Sequence, residues 1–179
     1  MNRRGAIRLF LSFILLAAVA APGQRRHDPL EKEEIDQLRD AMLEPGERLK
    51  LYVTFARDRM TKLEQMRADP KTTNRPRQTH DMLADFLAVF DELNDNVDMY
   101  VGRKDDIRKP LKLIIEADIE FQSKLRALKD AANADASEAK QYEFLLSNAI
   151  ETVDSSADDH RSTVGEVEEY VKRKKKNKQ

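Results

Sequence analysis

Residues 79–101 read THDMLADFLAVFDELNDNVDMYV, and this stretch decides the fold. Six large apolar side chains recur in it at steps of three and four residues: Leu83, Phe86, Phe90, Leu93, Val97 and Tyr100. Side chains at this spacing lie on one face of an α-helix, in the pattern typical of a bundle or coiled-coil seam. We therefore predict a long amphipathic helix that packs against other helices.

Three further segments repeat the same rhythm, around residues 49–66, 111–132 and 142–171, and a shorter one covers residues 35–42. The chain has only 5 glycines and 6 prolines, so little interrupts these segments. At 1.5 Å per residue, helices of this length are rods of roughly 30 to 50 Å. The predicted fold class is all-α, an elongated bundle of four to five amphipathic helices.

Local signals predict where the helices begin and end. Asp28 and Pro29 are typical of a helix start, and a break is expected at Pro45. Residues 69–78 contain two prolines and no large apolar side chain, so we expect a loop there, with Thr79 capping the next helix. Asp135 is expected to cap the final helix.

The first 24 residues differ from the rest of the chain. Three arginines precede an apolar run that ends in small residues, which is the pattern of a secretory signal peptide. We expect a signal peptide over 1–24, a helical bundle domain over 28–171 and a basic C-terminal tail over 172–179. The expected location is periplasmic or secreted, and retention of the leader as an anchor stays open.

Charge divides the chain into an acidic body and a basic tail, although the formal net charge is only -1. An acidic body argues against nucleic acid as a partner, because binding its backbone requires a basic surface. The tail is a candidate contact for a polyanion or an anionic membrane surface, the alternative being a solvated tail. Its basic residues are Lys172, Arg173, Lys174, Lys175, Lys176 and Lys178.

No motif for catalysis or for a cofactor occurs in the sequence. The chain has no cysteine, which excludes disulfides, thiol catalysis and a lipoprotein anchor. His80 and His160 have no second metal ligand three or four residues away on their own helices. We therefore assign no catalytic, cofactor-binding or metal-binding residue, and we expect no enzyme.

Two polar residues interrupt the apolar seams. Asp118 occupies a seam position, where a carboxylate needs a partner, so we expect an ion pair with arginine or lysine across the bundle or a turn towards solvent. His160 lies in residues 154–163. In this segment the apolar face of the last helix carries only small or polar side chains, and we call it the thin part of the last helix. We expect loose packing or solvent exposure in that segment.

These observations favour an exported, non-enzymatic helical bundle for protein–protein interaction or scaffolding in the cell envelope. The alternative is a periplasmic chaperone-like or ligand-binding bundle, with the thin part of the last helix or an inter-helix groove as its site. The sequence leaves the partner and the oligomeric state open.

Overall fold

The computed structural model describes residues 28–176, so the predicted signal peptide and Lys178 lie outside the described residues. Within this range the chain forms six helices and no strand, which confirms the all-α prediction. The helices are α1 (Lys32–Asp40), α2 (Pro45–Ala68), α3 (Arg75–Gly102), α4 (Arg108–Ala134), α5 (Ala136–Ala139) and α6 (Glu143–Lys176). α5 is a single turn between the last two long helices.

Four long helices form the bundle, and each of them has two neighbours. α2 and α6 lie at opposite corners, and each packs against both α3 and α4. Two ion pairs give the relative direction of α2 and α4. Arg57 contacts Glu120, and Glu64, further along α2, contacts Lys124, further along α4, so the two helices run parallel. α3 therefore returns to the end of the bundle at which α2 begins, and α6 finishes at that same end.

The core lies along the bundle axis. The six seam residues of α3 are between 0% and 2% exposed, which confirms the predicted helix face. Phe86, Phe90 and Phe121 meet there with ring centroids 5.2 to 5.9 Å apart, joining α3 to α4 across the bundle. Burying each such large apolar side chain contributes roughly 1.5 to 3 kcal/mol, so this seam is a major source of stability.

α1 packs against the outside of α2. Arg59, which is buried, donates to both carboxylate oxygens of Glu34 at 2.8 and 2.5 Å and to the carbonyl of Pro29 at 2.6 Å. Arg48 donates to the carbonyl of Leu38 at 2.8 Å. Two arginines of α2 thus hold the first helix against the bundle.

Three predicted helix starts were wrong. α1 begins at Lys32, and the side chains of Glu31 and Glu34 form a capping box there. α3 begins at Arg75, so Thr79 lies inside the helix, where it is fully buried and accepts a hydrogen bond from Arg67 at 2.9 Å. Asp135 caps the short α5 instead of the final helix, which begins only at Glu143.

Other boundaries agree with the sequence. α2 begins at Pro45, where a break was expected, and ends at Ala68, immediately before the predicted loop. The left-handed residue after α3 is Lys104 (φ 62°), whose amide donates to the carbonyl of Val101 at 2.9 Å. Among the helices of residues 28–176, none combines the length and the apolar character needed to cross a bilayer.

Candidate interaction surface and a buried Asp–His pair

The basic tail continues α6. Residues 172–176 are helical and all exposed, and Val171, immediately before them, is the last buried residue of the helix. Lys172 lies 3.9 Å from Glu168, and Arg173 lies 2.9 Å from Glu169. The predicted tail boundary at residue 172 therefore marks where burial ends, while the helix itself continues.

The start of this basic segment packs on the connection between α3 and α4. Tyr170 is half-buried, with the ammonium groups of Lys104 and Lys174 each 5.8 Å from its ring centroid. Cations over an aromatic face are attracted to it, so the ring of Tyr170 contacts one lysine from each of two parts of the chain. The end of α6 is thereby joined to basic residues from another part of the chain.

Further lysines lie around a groove beside this contact. The groove has a volume of about 510 Å³ and is lined mostly by charged side chains, including Lys109, Lys112, Asp106, Arg108 and Glu168. Side-chain hydrogen bonds from Arg108 hold the pKa of Asp106 below its ordinary value. The groove is open and charged, whereas small-molecule pockets are mostly enclosed and apolar.

We call Lys104, Lys109, Lys112 and residues 172–176 together the basic end. Six of its lysines have no ion-pair partner among the residues that the structure describes: Lys104, Lys109, Lys112, Lys174, Lys175 and Lys176. The first three were missed by the sequence analysis. They are far from the tail in sequence and join it only because α3, α4 and α6 have termini at one end of the bundle.

Two exposed apolar side chains lie at the same end. Met42 and Leu43, in the turn between α1 and α2, are 60% and 83% exposed. The turn directly precedes α2, whose second residue, Gly46, lines the groove together with Pro110. We call this pair the apolar turn, and it exposes apolar side chains at the same end of the bundle as the lysines.

Asp118 and His160 meet in the core between α4 and α6. The Nδ1 atom of His160 is 2.9 Å from Oδ2 of Asp118, and the two residues are 3% and 0% exposed. The other carboxylate oxygen, Oδ1, is buried without a hydrogen-bond partner. The expected arginine or lysine partner and the expected turn of Asp118 towards solvent were both wrong.

The segment of α6 around His160 is well packed, which corrects the expectation of a loose or exposed stretch. Ala157 is fully buried, and the Oγ atom of Ser156, one residue before it, accepts a hydrogen bond from Asn94 at 2.9 Å. The inward face of this segment, including Ala157 and His160, is therefore buried against the neighbouring helices.

Both members of the buried pair are enclosed in the core and closed to a substrate. No group of three or more potential metal ligands occurs within residues 28–176. The basic end, by contrast, is open to a large partner. Comparisons with protein-family models, with curated proteins and with solved structures find no match for this chain.

Proposed function

We propose that this chain is an exported, non-enzymatic binding protein that acts by interaction or scaffolding in the cell envelope, and that the basic end is its contact surface. The observation that supports this most directly is the set of six lysines without ion-pair partners at one end of an otherwise acidic bundle. Charged groups left unpaired on one surface create a field that extends about 8 Å at physiological salt. Such a field attracts and orients anionic partners.

The alternative function, a chaperone-like or ligand-binding bundle, has less support. Its expected site at residues 154–163 is occupied by packed side chains, with Ala157 and His160 both buried. The groove at the basic end is large enough for a ligand, but it is open and lined mostly by charged side chains of both signs, whereas small-molecule sites are usually enclosed and apolar.

Crosslinking and pull-down from the native cell envelope test the proposed function. The test variant Lys174→Glu/Lys175→Glu/Lys176→Glu reverses three charges of the basic end. The matched control, Lys71→Glu/Lys129→Glu/Lys140→Glu, reverses three exposed lysines that lie near the opposite end of the bundle. We expect the wild type and the control variant to capture the same partners and the test variant to lose them. Equal capture by the wild type and both variants would refute the role of the basic end.

The exported location has its own test. Mass spectrometry of the intact protein from the envelope fraction should give a chain that begins near residue 25, as expected for removal of a leader over 1–24. Recovery of the chain only from the cytoplasmic fraction would contradict export.

A further inference from the structure

We propose that the basic end docks on the surface of an anionic lipid bilayer, with the bundle standing end-on. This inference rests on the proposed function and names the partner of the same surface. The contact combines positive charge from residues 172–176 with the exposed Met42 and Leu43 of the apolar turn. Polybasic segments are attracted to anionic headgroups, and neighbouring apolar side chains gain by entering the interface.

The distribution of charge around α6 favours a fluid surface. Consecutive residues of an α-helix are about 100° apart, so the five basic residues of 172–176 surround the whole helix. A folded acidic protein presents fixed carboxylates to one side of such a helix. Lipid headgroups can move around the helix end and meet every side of it.

The sides of the bundle favour the end-on orientation. Residues 81–102 of α3 contain six acidic residues and no basic one. Asp91, Glu92, Asp95 and Asp98 are exposed and have no ion-pair partner within residues 28–176. An anionic bilayer repels this side and attracts the basic end, so the two effects orient the molecule in the same way.

The apolar turn gives the proposal a feature that pure charge attraction lacks. Leu43 is 83% exposed, although burial is the usual state of a large apolar side chain in water. Tyr170, half-buried between two lysines, is the type of aromatic residue that is enriched at membrane interfaces. Docking would remove Met42 and Leu43 from water while the lysines remain among the headgroups.

Co-sedimentation with vesicles tests the proposal. The full chain should bind vesicles of phosphatidylcholine with phosphatidylglycerol and should not bind vesicles of phosphatidylcholine alone. Reversal of Lys174, Lys175 and Lys176 should weaken binding at least about tenfold, given the contribution expected per lysine near such a surface. The variant Met42→Ser/Leu43→Ser should bind the anionic vesicles severalfold more weakly. The control variant Lys71→Glu/Lys129→Glu/Lys140→Glu should bind them as tightly as the wild type does.

The outcomes separate this inference from the proposed function. Circular dichroism first establishes that each variant is folded. If the chain does not bind the anionic vesicles, but its capture of envelope proteins still depends on Lys174, Lys175 and Lys176, the bilayer proposal fails and the proposed function stands. If neither vesicle binding nor capture depends on these lysines, both fail. Equal vesicle binding by the wild type and the basic-end variant also overturns the docking mode.

Discussion

At the scale of single residues, the strength of the Asp118–His160 pair can be measured by removing its members one at a time. Asp118→Leu should lower the free energy of unfolding by about 1 to 3 kcal/mol, because it leaves a ring nitrogen of His160 without its partner in the core. His160→Leu should cost more, about 3 to 5 kcal/mol, because it leaves a buried carboxylate alone. Urea denaturation provides the measurement.

The double replacement Asp118→Leu/His160→Leu should recover most of this loss, since two apolar side chains leave neither polar partner behind. Asp118→Asn is the matched control: it keeps an oxygen acceptor of similar size, so it should cost less than Asp118→Leu. Losses that simply add in the double variant would show that the two residues do not act as a pair.

The pair also shows what the sequence could and could not predict at this scale. The spacing of the apolar residues in α4 correctly predicted that Asp118 lies in a buried seam. Polar groups in such places need partners. His160 is 42 residues away on another helix, so a search for partners three or four residues apart could not find it. The usable signal was that each of two amphipathic helices has one titratable residue in its apolar stripe.

At the scale of elements, α1 depends on the buried ion pair of Arg59 with Glu34. Arg59→Met should release α1, because Glu34 would remain buried without its charge partner and a helix of nine residues is not stable alone. Hydrogen exchange should show lost protection in Lys32–Asp40, while protection in α3 and α4 stays close to that of the wild type.

The control for this prediction is Arg57→Met, two residues earlier in α2. Arg57 is about one-third exposed, and its pair with Glu120 joins α2 to α4. Exposed pairs of this kind contribute about 0 to 1 kcal/mol, so α1 should stay protected in this variant. Equal loss of α1 protection in both variants would contradict the specific role of Arg59.

The acidic side of α3 predicts a stabilising substitution. Partial burial of the Asp91 carboxyl, with smaller contributions from Asp95 and Glu92, raises its pKa, although the residue as a whole is exposed. A raised pKa in the folded state means that stability is present at low pH and lost as the pH rises through that pKa. At neutral pH the ionised Asp91 therefore destabilises the fold.

Asp91→Asn should raise the free energy of unfolding at pH 7 by about 0.2 to 0.5 kcal/mol, the size expected for removing a like-charge pair four residues apart. The gain should vanish at about pH 3 and below, well under the ordinary aspartate pKa, where Asp91 of the wild type is protonated in the folded and the unfolded state. Thermal melting of the two proteins across this pH range checks the prediction, and a gain that persists in acid would contradict it.

The ends of the helices were harder to predict than their middles. The middle of a helix can be predicted from several apolar side chains, because all of them show the same helical spacing. An end depends on one or two capping groups, and several candidates compete: Asp28 accepts a bond from the amide of Leu30, while Glu31 and Glu34 cap the helix itself. Propensity alone does not decide between such neighbours.

At the scale of the whole molecule, the four long helices were predictable, but their arrangement was not. Every seam has the same steps of three and four, so the spacing does not say which helices are neighbours. The directions are visible only in contacts such as Arg57 with Glu120, and many charged residues could have formed similar pairs. The gathering of Lys104 and Lys112 beside the tail follows from that arrangement.

The basic tail should contribute little to the stability of the whole molecule. Deleting residues 172–179 should lower the melting temperature by no more than about 2 °C, because the deleted residues that the structure describes are exposed. Their two ion pairs, with Glu168 and Glu169, are surface pairs of small value. Differential scanning calorimetry provides the measurement.

A longer deletion, from residue 167 onward, is the informative control. It also removes Val167 and Val171, which are 5% and 9% exposed, together with the half-buried Tyr170. Loss of this burial should lower the melting temperature by several degrees more than the short deletion does, on the scale of about 1 kcal/mol for each buried methylene group. Equally large losses from both deletions would mean that residues 172–176 stabilise the bundle directly, and their positive charge would then contribute to folding as well as to binding.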